Sequence, residues 1–90
     1  MTVRNDSQNV VNYRREIKRY MVDQQQLLRS LKNSHAKVGS VWKDPLHLRF
    51  GDFLNGLSEN ILHQMPDFED YCKKLNKLAE NLERIERLRV

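Results

Sequence analysis

The sequence has few of the residues that form turns or covalent crosslinks. Its 90 residues include three glycines, two prolines and one cysteine, Cys72. A single cysteine excludes an intramolecular disulfide framework. So few glycines and prolines argue against a sheet whose strands alternate with tight turns. What remains is a chain that is 31% charged, a composition typical of extended amphipathic helices.

The sequence also has no long apolar run. A membrane-spanning helix needs roughly 18–20 consecutive apolar residues, and no segment approaches that length. The first ten residues, MTVRNDSQNV, have no apolar core of the kind that signal peptides contain. We therefore expect no membrane span, and a cytoplasmic protein or one that is exported without a cleaved signal peptide.

Patterns that indicate catalysis or metal binding are missing as well. The chain has no glycine-rich phosphate loop, no Cys-x-x-Cys and no signature of a nucleophile with its histidine and acid. Its histidines, His35, His47 and His63, lack the i, i+4 spacing of two metal ligands on one helix. His35 and His47 do flank the break described below, where they could approach one another. The sequence predicts a non-enzymatic protein without catalytic residues, cofactor or metal.

Apolar residues instead repeat at steps of three and four, the period of an amphipathic helix. With Gln24 filling one gap, the first row is Val10, Tyr13, Ile17, Tyr20, Leu27, Leu31 and Val38. The second row is Phe50, Phe53, Leu57, Ile61, Met65, Phe68, Tyr71, Leu75, Leu78, Leu82, Ile85 and Leu88. The pattern predicts an all-α fold with one helix over about residues 6–38 and another over about residues 45–88.

The break between the helices has recognisable end signals. Gly39 suits a left-handed residue that ends the first helix. Asp44 and Pro45 suit the N-cap and first position of the second helix. Because the connection, about residues 39–44, is short, the helices should be antiparallel neighbours in a single hairpin domain over residues 1–90. Pro66 lies inside the second helix and should kink it there, although a division into two helices is the open alternative.

Two helices cannot cover apolar rows of this width, so we expect a second chain. Pairing centred near residues 41–42 would also leave residues beyond about 82 without a partner in the first helix. Both features predict a four-helix bundle, formed as a homodimer or as a heterodimer with a similar hairpin. The expected interface residues are Met21, Leu28, Leu54, Leu62, Leu82, Ile85 and Leu88.

Positive charge is concentrated in the first half of the chain. Residues 1–41 contain eight Lys and Arg against three Asp and Glu, whereas residues 42–90 contain eight against nine. The densest run is RREIKR, which contributes Arg14, Arg15, Lys18 and Arg19. These side chains suit an acidic partner. Nucleic acid is the less favoured alternative, since the run has no aromatic residues nearby for base stacking other than Tyr13 and Tyr20.

The break between the helices also carries a motif. Trp42 is followed two residues later by Asp44 and eight residues later by Phe50. This pattern resembles the WXG family, small secreted helical hairpins of bacterial type VII secretion. In that family a Trp-x-Gly turn joins two long antiparallel helices, and a bulky aromatic residue commonly follows the tryptophan by eight. Here Asp44 stands in place of the glycine, and the family's export signal, Tyr-x-x-x-Asp/Glu, is missing.

The resemblance implies a dimeric substrate, partner or component of a bacterial secretion system. Its turn motif would consist of Trp42, Asp44, Pro45 and Phe50, and we expect the Trp42 indole to be buried where the two helices meet. Two alternatives remain at this point: a basic coiled coil that binds nucleic acid, and a cytosolic adaptor of another assembly.

Overall fold

The structure, a computed structural model, describes residues 5–88 as two long helices. Helix α1 spans Asp6–Gly39 and helix α2 spans Pro45–Leu88, and the connection comprises residues 40–44. Residues 5–88 contain no strand. The predicted all-α helical hairpin is confirmed, with helix boundaries that differ from the predicted ones by about one residue. Within the same residues, neither helix has a stretch long and apolar enough to cross a membrane.

The two helices pack against each other in two compact units. The turn unit comprises residues 21–65 and includes the connection. The terminal unit comprises, among the described residues, 5–20 of α1 and 66–88 of α2. Each unit has its own buried residues and its own contacts between α1 and α2.

Helix α2 begins as the sequence predicts. The Asp44 carboxylate accepts a hydrogen bond from the backbone N–H of His47 at 2.8 Å, and the Asp44 carbonyl accepts the first helical bond, from Leu48, at 3.1 Å. Pro45 occupies the first helical position, where its missing N–H has no partner to lose. This local chemistry ends the connection and fixes the first turn of α2.

Helix α1 ends differently from the prediction. Gly39 is the last helical residue, and none of the described glycines has a positive φ, so the expected left-handed cap is wrong. The last turn continues instead, with the Trp42 N–H donating to the Val38 carbonyl at 2.9 Å. The structure requires glycine at this position for another reason. A Cβ on residue 39 would lie 2.7 Å from Nε2 of His47.

Helix α2 runs continuously through Pro66, so the alternative of two separate helices is wrong. Proline has no N–H, so the helical bond that this position would donate to the carbonyl of Leu62 is missing. The kink at Pro66 stays a prediction.

The core is small, and it includes residues that the sequence assigned to a dimer interface. Leu28 and Leu54 are buried in the turn unit, and Leu54 is only 2% exposed. Met21 and Leu82 are half-buried. Placing Leu28 and Leu54 at an interface with a second chain was wrong, because their own hairpin already covers them. The remaining buried apolar residues belong to the terminal unit: Cys72, Leu75 and Ala79.

The pairing of the helix ends also differs from the prediction. Glu86 accepts hydrogen bonds from the Ser7 hydroxyl at 2.6 Å and from the Ser7 backbone N–H at 3.0 Å. The expectation that α1 does not reach beyond about residue 82 is therefore wrong. The first N–H groups of a helix have no partner within it and carry partial positive charge. A carboxylate from α2 meets this requirement at the start of α1.

We predict that Asp44→Ala lowers the free energy of unfolding by about 1 kcal/mol, because the substitution removes an N-cap hydrogen bond. Urea denaturation followed by circular dichroism measures the change. Asp52→Ala is the matched control, since Asp52 is an exposed acid in the interior of the same helix and its loss should change stability by less than about 0.5 kcal/mol. Equal effects of the two substitutions would contradict a capping role for Asp44.

Candidate functional site: exposed apolar stripes and a histidine stack

The structure offers no centre for metal binding in the part of the chain that it describes. Residues 5–88 contain no group of three or more His, Cys, Asp or Glu side chains that could hold a metal ion. The features that stand out are apolar side chains on the surface and a pair of stacked histidines at the turn.

The terminal unit exposes a row of large apolar residues, here called the terminal stripe. Successive members of the row are seven residues apart on α1 and also on α2. The two helices contribute Tyr13, Tyr20, Tyr71, Leu78 and Ile85, all of them exposed. The apolar rows were expected to lie between the helices, and the exposure of Tyr20 and Leu78 contradicts this at those positions. Ile85 was expected to face a second chain, and that stays a prediction. Half-buried Val10, Arg14 and Ile17 lie on the side of α1 that faces α2 instead.

The turn unit has a corresponding row, here called the turn stripe. Its members are Leu27, Leu31, Val38, Phe50 and Phe53, all exposed. Leu27 is 64% exposed although it was expected to face α2, whereas its neighbour Leu28 is buried. Helix α1 of this unit therefore turns Leu28, and not Leu27, toward α2. Of the remaining predicted interface residues, Leu62, Ile85 and Leu88 are exposed.

Trp42 does not lie between the helices. Its side chain is 61% exposed, and Val41 and Leu46 on either side of it are more exposed still. The expectation of a buried indole was wrong. Phe50, the other aromatic residue of the motif, lies beside His35 with ring centroids 6.3 Å apart and beside Phe53 with centroids 5.7 Å apart. The motif therefore divides into a capping pair, Asp44 and Pro45, an exposed tryptophan, and an exposed phenylalanine whose ring contacts His35 and Phe53.

Two histidines occupy the corner where the tryptophan was expected. His35 of α1 and His47 of α2 stack with ring centroids 3.7 Å apart and planes only 4° from parallel. Nε2 of His35 lies 2.7 Å from the His47 carbonyl oxygen. Since a carbonyl only accepts, His35 donates this hydrogen bond through its Nε2–H. We call the pair the histidine stack.

Each histidine of the stack lies against a glycine of the other helix. A Cβ on Gly51 would lie 2.8 Å from Cε1 of His35, and one on Gly39 would lie 2.7 Å from Nε2 of His47. The arrangement is reciprocal because the sequence contains His-x-x-x-Gly twice, as HAKVG and HLRFG. In antiparallel helices these two segments face each other. The approach of His35 and His47 was expected from their places on either side of the break, and the stack confirms it. The contacts with the glycines were missed, and this repeat was the signal for them.

The basic run does not form one surface. Arg15, Lys18 and Arg19 are exposed, whereas Arg14 is half-buried. Nε of Arg14 is enclosed and has no hydrogen-bond partner among residues 5–88. The ion pair found in the described part of the chain, Arg87 with Glu83 at 2.6 Å, lies elsewhere and is exposed. The predicted face for an acidic partner therefore reduces to three side chains.

The turn unit contains a groove lined by apolar, polar and basic side chains. Its volume is about 310 Å³. Its lining combines apolar Leu28, Ile61 and Leu62 with the polar or charged Gln25, Arg29, Lys32 and Ser58. Exposed apolar surface in this groove adds to that of the turn stripe.

The terminal stripe contains one polar contact, between two tyrosines. The Tyr71 hydroxyl donates to the Tyr13 hydroxyl at 3.1 Å, and the rings meet edge to face with centroids 6.0 Å apart. This hydrogen bond is the largest of the effects that raise the pKa of Tyr71 above its ordinary 10.0, ahead of partial burial and of charge on Tyr13 and Cys72. The bond joins α1 to α2 on the outside of the hairpin.

We predict opposite effects of alanine at two glycines of α2. Gly51→Ala places a methyl group against the His35 ring and should destabilise the fold by about 1–3 kcal/mol. Gly56→Ala meets no atom within 4 Å and should stabilise it by about 0.5–1 kcal/mol, because alanine favours a helix interior. Urea denaturation measures both. Stabilisation by both substitutions would contradict the close contact at Gly51.

We predict that Tyr13→Phe lowers the pKa of Tyr71 toward its ordinary value, since the largest cause of the shift is removed. Because folding raises this pKa, the contribution to stability is present below about pH 10 and is lost as pH rises through the folded-state value. Ultraviolet absorbance of the phenolate measures the titration. Tyr20→Phe removes an exposed phenol outside the pair and should leave the high-pH step in place; loss of that step in Tyr20→Phe would contradict the assignment.

Comparison of the chain with family models, with curated proteins and with solved structures finds no match in any of the three.

Proposed function

We propose that this chain is a non-enzymatic interaction protein that packs its helical hairpin against a second copy of itself in a four-helix bundle. The observation that carries the proposal is the amount of apolar surface left uncovered. Two rows of large apolar side chains, the terminal stripe and the turn stripe, face solvent in a chain of only 90 residues. Patches of this extent on a small protein mark interaction sites.

The exposed area agrees with what a stable dimer needs. The chain exposes 7602 Å², whereas a compact monomer of 10.8 kDa is expected to expose about 5,500 Å². The excess is about 2,000 Å² per chain. Two chains that each buried this excess would cover about 4,000 Å², which lies within the range of obligate dimers.

The spacing of the stripes fits packing by helices. Tyr13 and Tyr20 are seven residues apart, as are Tyr71, Leu78 and Ile85. A seven-residue repeat presents its side chains along one line of a helix, and such lines interlock with the corresponding lines of neighbouring helices. A second hairpin offers two helices with the same repeat, which suits the two stripes better than a single helix would.

Charge supports the second copy as the partner and indicates its orientation. Residues 1–41 carry a net charge of +5 and residues 42–90 a net charge of −1. Placing α1 of one copy beside α2 of the other avoids contact between two basic helices. The acids Asp67, Glu69 and Asp70 at the middle of α2 would then be available to the exposed cations of α1.

The biological setting that we propose is bacterial secretion, as a substrate, partner or component. Its support is the resemblance to the WXG family: the length, the two-helix hairpin and the turn with Trp42 followed by Phe50 eight residues later. Because Tyr-x-x-x-Asp/Glu is missing from this chain, a partner would have to supply that signal for export.

Binding to nucleic acid is less well supported. Half-burial of Arg14 leaves three exposed cations in the basic run, and a phosphate-binding surface normally shows denser positive charge. Nucleic-acid binding that persists at about 200 mM salt would contradict this ranking.

We predict that the wild-type chain sediments as a dimer at micromolar concentration and that Leu78→Glu converts it to a monomer, since a carboxylate in the terminal stripe would be buried without a partner. We expect the dissociation constant to rise by at least about 100-fold, which corresponds to about 2.8 kcal/mol. Analytical ultracentrifugation measures it, and circular dichroism checks that the helices remain.

Val22→Glu is the matched control. Val22 is exposed to a similar extent but lies on α1 about two positions from Tyr20, on a different side from the stripe. It should leave the dimer intact. A wild-type monomer at micromolar concentration, or equal weakening by both substitutions, would overturn the proposed self-association.

A further inference from the structure

The histidine stack at the turn has a consequence that is independent of any partner. We propose that it closes the turn end of the hairpin at neutral pH and releases it in mildly acidic solution. The device consists of two imidazole rings in contact, one from each helix, that cannot both carry positive charge without repelling one another.

The rings are held together from both sides. Their centroids are 3.7 Å apart, and a hydrogen bond of 2.7 Å ties Nε2 of His35 to the carbonyl of His47. Gly51 and Gly39 provide the space, since a Cβ at either position would come within 3 Å of a ring. Moving the rings apart therefore also moves α1 and α2 apart at this end.

The hydrogen bond from His35 to the His47 carbonyl determines which nitrogen of the His35 ring carries the hydrogen. Nε2 of His35 carries a hydrogen at neutral pH, because it donates to a carbonyl. A further proton must then enter at Nδ1 and make the ring cationic. Imidazole side chains in general take up this proton between about pH 5 and 8. A proton on each ring would place two unit charges about 3.7 Å apart.

The charged groups around the stack come from the connection. Lys43 lines the cleft of about 470 Å³ beside the two rings, and the other lining residues are uncharged apart from the histidines themselves: Ala36 and Gly39 of α1, Ser40 of the connection and Leu48 of α2. The negative charge comes from the Asp44 carboxylate, which lies at the start of α2 and accepts a hydrogen bond from the His47 backbone N–H. Asp44 favours a first cation in the pair, whereas Lys43 and that first cation both oppose a second.

The sign of the pH effect follows from comparing the folded and unfolded chains. In the unfolded chain the two rings are separated and can both be protonated. In the folded chain the second proton is disfavoured, so at mildly acidic pH the unfolded state binds more protons. Stability then falls as pH is lowered through this range and recovers as pH is raised.

The first test uses the wild-type chain alone. Nuclear magnetic resonance follows the ring protons of all three histidines between about pH 8 and 4.5. We expect His35 and His47 to take up protons in two separate steps, as coupled groups do. His63, exposed and outside the stack, is followed for comparison. A single step for each of His35 and His47, coincident with that of His63, would overturn the proposal.

The second test compares stability at about pH 7.5 and pH 5.5, measured by urea denaturation. We expect the ratio of folded to unfolded protein to fall about tenfold more for wild type than for His47→Gln, which corresponds over these two pH units to about half a proton more taken up on unfolding. His63→Gln is the matched control and should behave as wild type does. An equal pH dependence in wild type and His47→Gln would overturn the proposal, and the wild-type titration decides it if His47→Gln fails to fold.

Discussion

Two packed helices share only one face, and in this chain that face is narrow. The side of α1 that meets α2 in the turn unit is formed by Leu28, His35 and Gly39, and α2 contributes Leu54 and Gly51. Glycine on both helices permits close approach, and close approach leaves little room for large side chains. Bulky apolar residues of this unit consequently lie outside its core, as the exposure of Leu27 and Leu31 shows.

The two helices and the start of α2 could be predicted because they depend on residues close together in sequence. Asp44 and Pro45 form a helix start through bonds within four residues, and the apolar period of three to four needs no knowledge of the rest of the chain. The side of each helix that faces inward is a different kind of property. An apolar row as wide as that of α1 can face α2 with the centre of the row or with one edge of it. Small residues on α2 decide which of these two orientations α1 adopts.

At the turn, too, the local sequence does not determine which side chains lie between the helices. Size alone places the largest side chain, Trp42, in the corner between the helices, and the structure places two histidines there instead. Their contact requires glycine four residues after each histidine, on opposite helices. That requirement is visible in the sequence only when both segments are compared, because neither HAKVG nor HLRFG has an unusual composition by itself.

The contacts between the helices divide into two kinds with different physical roles. Hydrogen bonds and ring contacts such as Ser7 with Glu86 and His35 with His47 are directional, so they select one pairing of α1 with α2. They contribute little net free energy, because the same groups bond to water in the unfolded chain. Apolar burial supplies most of the favourable free energy of folding, and the hairpin's own core buries few apolar residues. A partner that binds only the folded chain stabilises it, and more so as the partner's concentration rises above the dissociation constant. The polar contacts would then set the shape of the hairpin, and covering the exposed stripes would supply most of its stability.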